Sequence, residues 1–280
     1  MKLFIIICII FALIIICGCK QTSEPDYYIR TSYYKNINKI DYNDSLITCV
    51  TFNIQLGFRA DSDPWTKEDI GCSQEYINEL ANHLQKVNPD IICLQEVPRN
   101  RYNAVVKNFI ENLASKLNMN YAFGAHGFND PSGITPVNGE WGNAILTKYP
   151  ILNITNYENE YLDIWQKRSI LTAELKNGNN TLLVSSLHFI TSDFSVPNSI
   201  KYFSSFTNPN SIILGDFNLV ELPEFEEIGY YDVFKSENFL WGIDKILIHP
   251  QKFSIHTIGI IPGNQDISDH LANYCTIKYK

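Results

Sequence analysis

The chain has 280 residues and a formal net charge of −8. That length fits a single large domain with a substantial core, and neither an internal repeat nor a low-complexity block divides it. An acidic balance argues against sequence-independent nucleic-acid binding, which needs Lys and Arg to neutralise phosphates, although a bound metal would neutralise phosphate locally.

The chain opens MKLFIIICIIFALIIICGCK, with one Lys and an apolar run from Leu3 to Cys17. A positive start before an apolar stretch reads as an export signal, and the run is short for a spanning helix. Gly18-Cys19 resembles the bacterial lipobox, in which cleavage precedes a cysteine that is then lipidated. Cys17 departs from that motif, which usually has a small residue there. Residues 1–18 are read as a lipoprotein-type signal peptide, which makes the mature chain an exported cell-envelope lipoprotein anchored in a membrane surface through Cys19. An uncleaved N-terminal anchor is the alternative, and it also keeps the remainder outside the cytoplasm. Residues 19–45 are polar and rich in Asn and Tyr and read as a tether. One globular unit, 46–280, follows and is expected to be monomeric.

Within that unit, strands are expected at SLITCVTFNI, DIICLQEV, GNAILTKYPI, ILTAEL, TLLVSSLHF, SIILGDFN, DKILIHP, FSIHTIGII and NYCTIKY, all rich in β-branched and aromatic residues and mostly bounded by turn residues. Several are nearly continuous apolar runs, as in strands covered on both faces. Between them, SQEYINELANHLQKVN has an apolar face of Tyr76, Ile77, Leu80, Leu84 and Val87, with Ser73 at its start and Pro89 beyond its end. RYNAVVKNFIENLASKLN reads as a second helix with Val105, Val106, Phe109, Ile110, Leu113 and Leu117 on one side. Strands and helices mix without strict alternation, which suggests two packed sheets with helices outside. Cys49, Cys93 and Cys275 lie in apolar strands and read as buried thiols; with Cys72 they match no zinc spacing.

Polar residues with metal or proton chemistry recur at strand ends: Asn53, Glu96, His188, Asp216 with Asn218, Asp244, and Asp269 with His270. Each alone reads as a turn or cap residue. Together, at successive strand ends, they read as one cleft offered by a rigid scaffold. Asp216 and Asn218 are two apart, so an extended segment would point both the same way. His83 reads as solvated, and His126 falls in a Gly-containing loop that could rim the cleft. No P-loop, His-Glu-x-x-His or serine elbow is present.

The fragments TFNIQLG, PDIICLQEV, WGNAILTKYPI, KRSIL, SSLHF, ILGDFN, IDKILI and SDH occur in the order seen in the endonuclease/exonuclease/phosphatase superfamily, which includes DNase I. The chain resembles that family from Leu46 to Lys280. The resemblance implies a DNase I-like, four-layered α/β sandwich, two packed mixed β-sheets flanked by helices, and magnesium-dependent cleavage of phosphate esters by in-line attack of water, with Mn²⁺ an alternative ion. It implies Glu96 as the main metal ligand, Asn53 at the metal or the phosphate, and Asp269 facing the metal. It implies Asp216 aligning the attacking water, Asn218 donating to a phosphate oxygen, Asp244 orienting His270, and His188 facing the scissile phosphate. Which histidine is base and which acid stays open at this point. Arg168 matches a family arginine that contacts phosphate, and Asn143 shapes the site.

Departures narrow the substrate. Gln55 stands where abasic-site endonucleases usually have an acid, and His188 where they tend to have Tyr. LWGIDKIL lacks the Cys and the spacing of the inositol 5-phosphatase signature. An exported phosphodiesterase or phosphatase acting on a small phosphoester, phospholipid head group or phosphosugar is the leading reading. A secreted nuclease acting on DNA or RNA is the alternative, and a non-enzymatic binding protein on the same scaffold is a third.

Overall fold

The computed structural model describes residues 31–280 apart from 39, 41, 65–68, 102, 127–139, 160–167, 191–194, 207, 236–241 and 264–265. The signal peptide, the lipobox and the first part of the tether lie outside the described residues. The elements in order are β1 (Ser32–Lys35), β2 (Leu46–Asn53), α1 (Gln74–Gln85), β3 (Ile91–Arg99), α2 (Phe109–Leu117), β4 (Asn120–Ala125), β5 (Glu140–Thr147), β6 (Ile151–Asn159), β7 (Arg168–Asn177), β8 (Asn180–His188), α3 (Ser195–Ser204), β9 (Ser211–Asp216), α4 (Pro223–Glu227), β10 (Tyr231–Asp232), β11 (Asp244–Ile248), β12 (Phe253–Ile260) and β13 (Asn273–Tyr279).

Among the described residues these strands form two sheets, one of seven in the order β1-β4-β5-β3-β2-β13-β12 and one of six in the order β10-β11-β9-β8-β7-β6. Each is mixed: β2–β3 and β8–β9 are parallel, and the other pairs are antiparallel. Alternation along the strands sorts the apolar residues into layers. Cys49, Cys93, Ile145, Val184, Leu214 and Cys275 meet between the sheets. Val50, Phe52, Ile92 and Leu94 face the other way and pack on Leu80, Leu84, Ile110 and Leu113 of α1 and α2. Leu187, Ile213 and Leu247 pack on Phe203 of α3 and Phe225 of α4. Both faces of both sheets are covered, which is the four-layered sandwich the sequence predicts. Cys49, Cys72, Cys93 and Cys275 are free and buried.

Several expectations are revised. The domain starts earlier than Leu46, because Ser32–Lys35 pairs antiparallel with β4 and Tyr33 packs into the core with its hydroxyl donating to Glu111. Ser32–Lys35 thus lies at the sandwich edge, within the segment read as tether. The predicted strand GNAILTKYPI is two strands in different sheets, β5 and β6. They separate at Lys148–Pro150, where Lys148 N donates to Asp90 O and Tyr149 N to Thr147 Oγ1. The second predicted helix begins only at Phe109. Ahead of it Arg101 is fully buried with Nη2 donating to Pro64 O, Ala104 pairs with Gly71, and Val105 is exposed. The helix ends at Asn118, left-handed at φ 53°; β4, which follows it at once, went unpredicted. His83 is buried beside Phe52, not solvated.

Candidate active site at the seam of the two sheets

Strand registry assembles half of the site. In the six-stranded sheet Asp216 lies directly opposite both His188 and Asp244. Gly215, just before Asp216, is required by close approach: a Cβ there would come within 2.1 Å of the Leu187 carbonyl oxygen. The other sheet delivers Asn53 and Glu96 to the same end, with Asn53 opposite Gln95. Its β13 brings in the Ser268–His270 segment that precedes it.

The two halves meet through hydrogen bonds. Asn53 Nδ2 donates to Asp216 Oδ2 at 3.0 Å across the sheets. Asp216 Oδ2 also lies 3.5 Å from His188 Nε2 and 3.8 Å from His270 Nε2. His270 Nδ1 and Asp244 Oδ2 are 2.8 Å apart, and Asn273 Nδ2 donates to the Asp244 carbonyl. Ser268 Oγ donates to the Asn53 carbonyl at 2.7 Å and accepts the His270 N–H. The Asp244 partnership with His270 is therefore as expected. Ser268, Asn273 and Gln95 were missed. Ser268 was visible in the SDH fragment, but a hydroxyl that braces the Asn53 and His270 backbone and the neighbouring Asp269 carboxylate has no distinct sequence signal.

Glu96 does not end its strand. The β3–β5 register shifts between Leu94 and Val97, and Glu96 sits in that bulge at φ 55°, left-handed for a non-glycine residue. A bulge re-aims a side chain, and strain of this kind clusters at functional sites. Asn53, Arg168, His270 and Asp269 all lie near enough to act on the charge of the Glu96 carboxylate. Asp269 is itself exposed, with its N–H donating to Gln55 Oε1.

Asn218 departs from the expected extended geometry. It is left-handed at φ 52°, its N–H donates to Asp216 Oδ1, and its Nδ2 donates to the Phe189 carbonyl. Asn218 thus holds Asp216 in a turn, with one of its two side-chain N–H groups given to backbone. Asn143 is buried and donates to the Ser169 carbonyl. Arg168 lies with its guanidinium carbon 4.7 Å from the Trp141 ring centroid, a cation–π distance.

Burial and neighbouring charge set the protonation states. Burial, reinforced by Asp244, pushes the Asp216 carboxyl up to about 6. Burial alone would lower His270, but the Asp244 hydrogen bond and charge, with Asp216 and Asp269, raise it to about 9. Burial, then Arg168, His126 and His270, hold His188 well below the usual imidazole range. Burial raises Glu96, with Arg168 and Asn53 opposing it. The two histidines the sequence left equivalent are separated: His270 is cationic at neutral pH and His188 is neutral.

Asp216, Asp244 and His270 place ligand atoms within 4.8 Å of one another. Asp244 Oδ2 is already engaged by His270 Nδ1, while Asp244 Oδ1 is buried without a hydrogen-bond partner. Glu96, Asn53 and Asp269 offer oxygen donors only, the set a hard cation such as Mg²⁺ takes. Burial also raises the Glu96 carboxyl despite Arg168 and His270 nearby, and these oxygen donors fit a divalent ion.

A family model described as "Endonuclease/Exonuclease/phosphatase family" matches residues 50–270. No curated protein matches the sequence. Among solved structures, an endonuclease/exonuclease/phosphatase from Beutenbergia cavernae superposes with a TM-score of 0.65 at 15% identity, covering 84% of this chain and 72% of that one. The human Nocturnin catalytic domain with bound sulfate gives 0.64 at 16% identity, covering 92% and 100%. A Bacteroides thetaiotaomicron mannosyl-6-phosphatase gives 0.55 at 15% identity, covering 82% and 99%. Likeness at this identity establishes the fold.

Proposed function

The chain belongs to the endonuclease/exonuclease/phosphatase family, a superfamily of phosphoester hydrolases, and from that premise we propose that it is an exported, membrane-anchored enzyme hydrolysing small phosphate esters with the help of a divalent ion. The observation that carries the chemistry is the arrangement around Asp216 Oδ2, with Asn53 Nδ2 at 3.0 Å, His188 Nε2 at 3.5 Å and His270 Nε2 at 3.8 Å.

Phosphoester hydrolysis needs an activated water, neutralised phosphoryl charge and help for the leaving oxygen. Asp216, raised to about 6, is ionised at neutral pH yet basic enough to take a proton from water. The Asn53 amide fixes which Asp216 oxygen is engaged and leaves the other to the Asn218 N–H. His270, cationic through Asp244, offers Nε2–H to a phosphoryl oxygen. His188, neutral and buried, can hydrogen-bond the leaving oxygen through a ring N–H without itself carrying charge. Glu96, Asn53 and Asp269 would hold Mg²⁺, which when bound neutralises charge on the phosphoryl group.

The acidic chain, at −8, favours a compact substrate over a polyanion. Export and anchoring rest on the apolar N-terminus and Cys19. The test is a screen of mature protein, with Mg²⁺ and with chelator, against bis-p-nitrophenyl phosphate, sugar phosphates, sphingomyelin, inositol phosphates, plasmid DNA and RNA. Chelator-sensitive turnover of a small ester is expected. Faster cleavage of DNA or RNA would replace this reading with that of a secreted nuclease. Cys19→Ser should release the protein from the membrane fraction, and full retention would reject the lipid anchor.

A further inference from the structure

His126 lies one residue beyond β4 and is fully buried. The Ser169 N–H donates to its Nδ1 at 3.0 Å, and Ser169 Oγ lies 3.1 Å from the same nitrogen. A ring nitrogen that accepts a backbone N–H carries no proton, so neutral His126 holds its proton on Nε2. Pairing of β7 with β8 begins only at Ile170. Ser169 pairs with Glu158 of β6, and the imidazole takes the place of the missing β8 partner. Asn143 Nδ2 also donates to the Ser169 carbonyl, at 2.7 Å. The same imidazole meets the Trp141 ring edge-on, at 4.9 Å and 87°, and Arg168 rests on that indole. The residue after Arg168 and the surface beneath its guanidinium are thus both set by one side chain.

We propose that His126 is a positioning residue that sets Arg168 to receive a phosphoryl oxygen. This rests on the reading of the site as a phosphoester site. A leucine would fill the same space but leave the Ser169 N–H without its acceptor. Asparagine would keep an acceptor close to the position of Nδ1.

The experiment measures inorganic phosphate binding by calorimetry, and KM and kcat on bis-p-nitrophenyl phosphate, for wild type, His126→Leu, His126→Asn, Arg168→Gln and the Leu/Gln double variant. His126→Leu should weaken phosphate binding roughly tenfold or more, the scale of one charge-assisted hydrogen bond, and raise KM more than it lowers kcat. His126→Asn should recover most of the loss, and Arg168→Gln should add little to His126→Leu, because both remove the same contact. If His126→Leu does not fold, Trp141→Leu, which leaves the Ser169 contacts in place, must weaken phosphate binding in the same way. Wild-type phosphate affinity in His126→Leu, or failure of His126→Asn to recover, overturns the proposal. Absence of phosphate binding by the wild type overturns the site reading and the proposal with it. No turnover of any ester, with phosphate binding following the expected pattern, overturns the hydrolase reading alone.

Discussion

Asp244→Asn tests the charge logic of the site. The Asp244 carboxylate sits 2.8 Å from His270 Nδ1 and outweighs the burial that would otherwise lower that imidazole, holding it at about 9. Against an ordinary value of about 6.5, this is roughly 3 kcal/mol of preference for the imidazolium. Asn keeps an oxygen that can accept from Nδ1–H but loses the charge, so His270 should fall to about 6.5 or lower. At pH 8 the imidazolium fraction would drop from about nine-tenths to a few per cent, an activity loss of roughly 30-fold from population alone, before any loss of alignment. NMR titration of His270 in metal-free wild type and variant reads the shift directly, and the rate on bis-p-nitrophenyl phosphate at pH 8 reads its consequence. A raised His pKa stabilises the fold fully below about 6.5 and loses that contribution as pH rises through about 9. The stability gap between wild type and variant should therefore close on the alkaline side. An unchanged His270 titration, or a pH 8 rate within threefold of wild type, would refute the reasoning.

Glu96→Asn should abolish turnover yet stabilise the fold by about 1 kcal/mol, because Asn tolerates the left-handed backbone that Glu96 occupies at φ 55° and removes a buried carboxylate; urea unfolding and an activity assay would show both. Gly215→Ala should cost at least about 2 kcal/mol and activity together, since the added methyl meets the Leu187 carbonyl; a normal melting temperature would contradict the packing. His83 is lowered by burial and then by Lys86, so its neutral form stabilises the fold above about pH 6.5 and that contribution is lost as pH falls. His83→Phe should accordingly flatten the acid limb of the stability profile, as measured by denaturant midpoints at pH 5 and pH 7.5.

The sandwich and the strand-end polar residues were legible because both depend on local pattern. Continuous apolar runs mark strands covered on both faces, and β2, β3, β8, β9 and β11 all carry them. β1 and β4 were not legible for the same reason. SYYK is a mostly exposed edge strand, recruited by pairing with β4 and by the Tyr33 contact with Glu111, and neither contact is local. NYAFGA follows a helix too closely for a turn signal to separate them. The apolar residues of VVKNF suggested helix, whereas burial of Arg101 against Pro64 O holds that stretch as a loop. Site membership was read from residue type, but geometry was not: Glu96 sits in a bulge and Asn218 in a left-handed turn, and backbone excursions of one residue leave almost no trace in composition.

The seam itself explains why the site residues are scattered along the chain. One sheet supplies the oxygen donors Asn53 and Glu96, and the other supplies Asp216, Asp244 and His188. Neither half has the full chemistry. Their relative position is held by the Asn53–Asp216 bond and, just beneath it, by Gln95. That buried side chain accepts from Thr51 Oγ1 within its own sheet and donates to Ser186 Oγ in the other. These bonds lie in a layer that is otherwise apolar, where an unmade hydrogen bond costs more than a made one returns. A slip of one residue in either sheet would leave Gln95 and Asn53 unsatisfied as well as separating Glu96 from Asp216. The polar bridges therefore do two things: they penalise misregistered packing of the sheets, and they bring the strand-end polar groups of the two sheets together only in the correct packing.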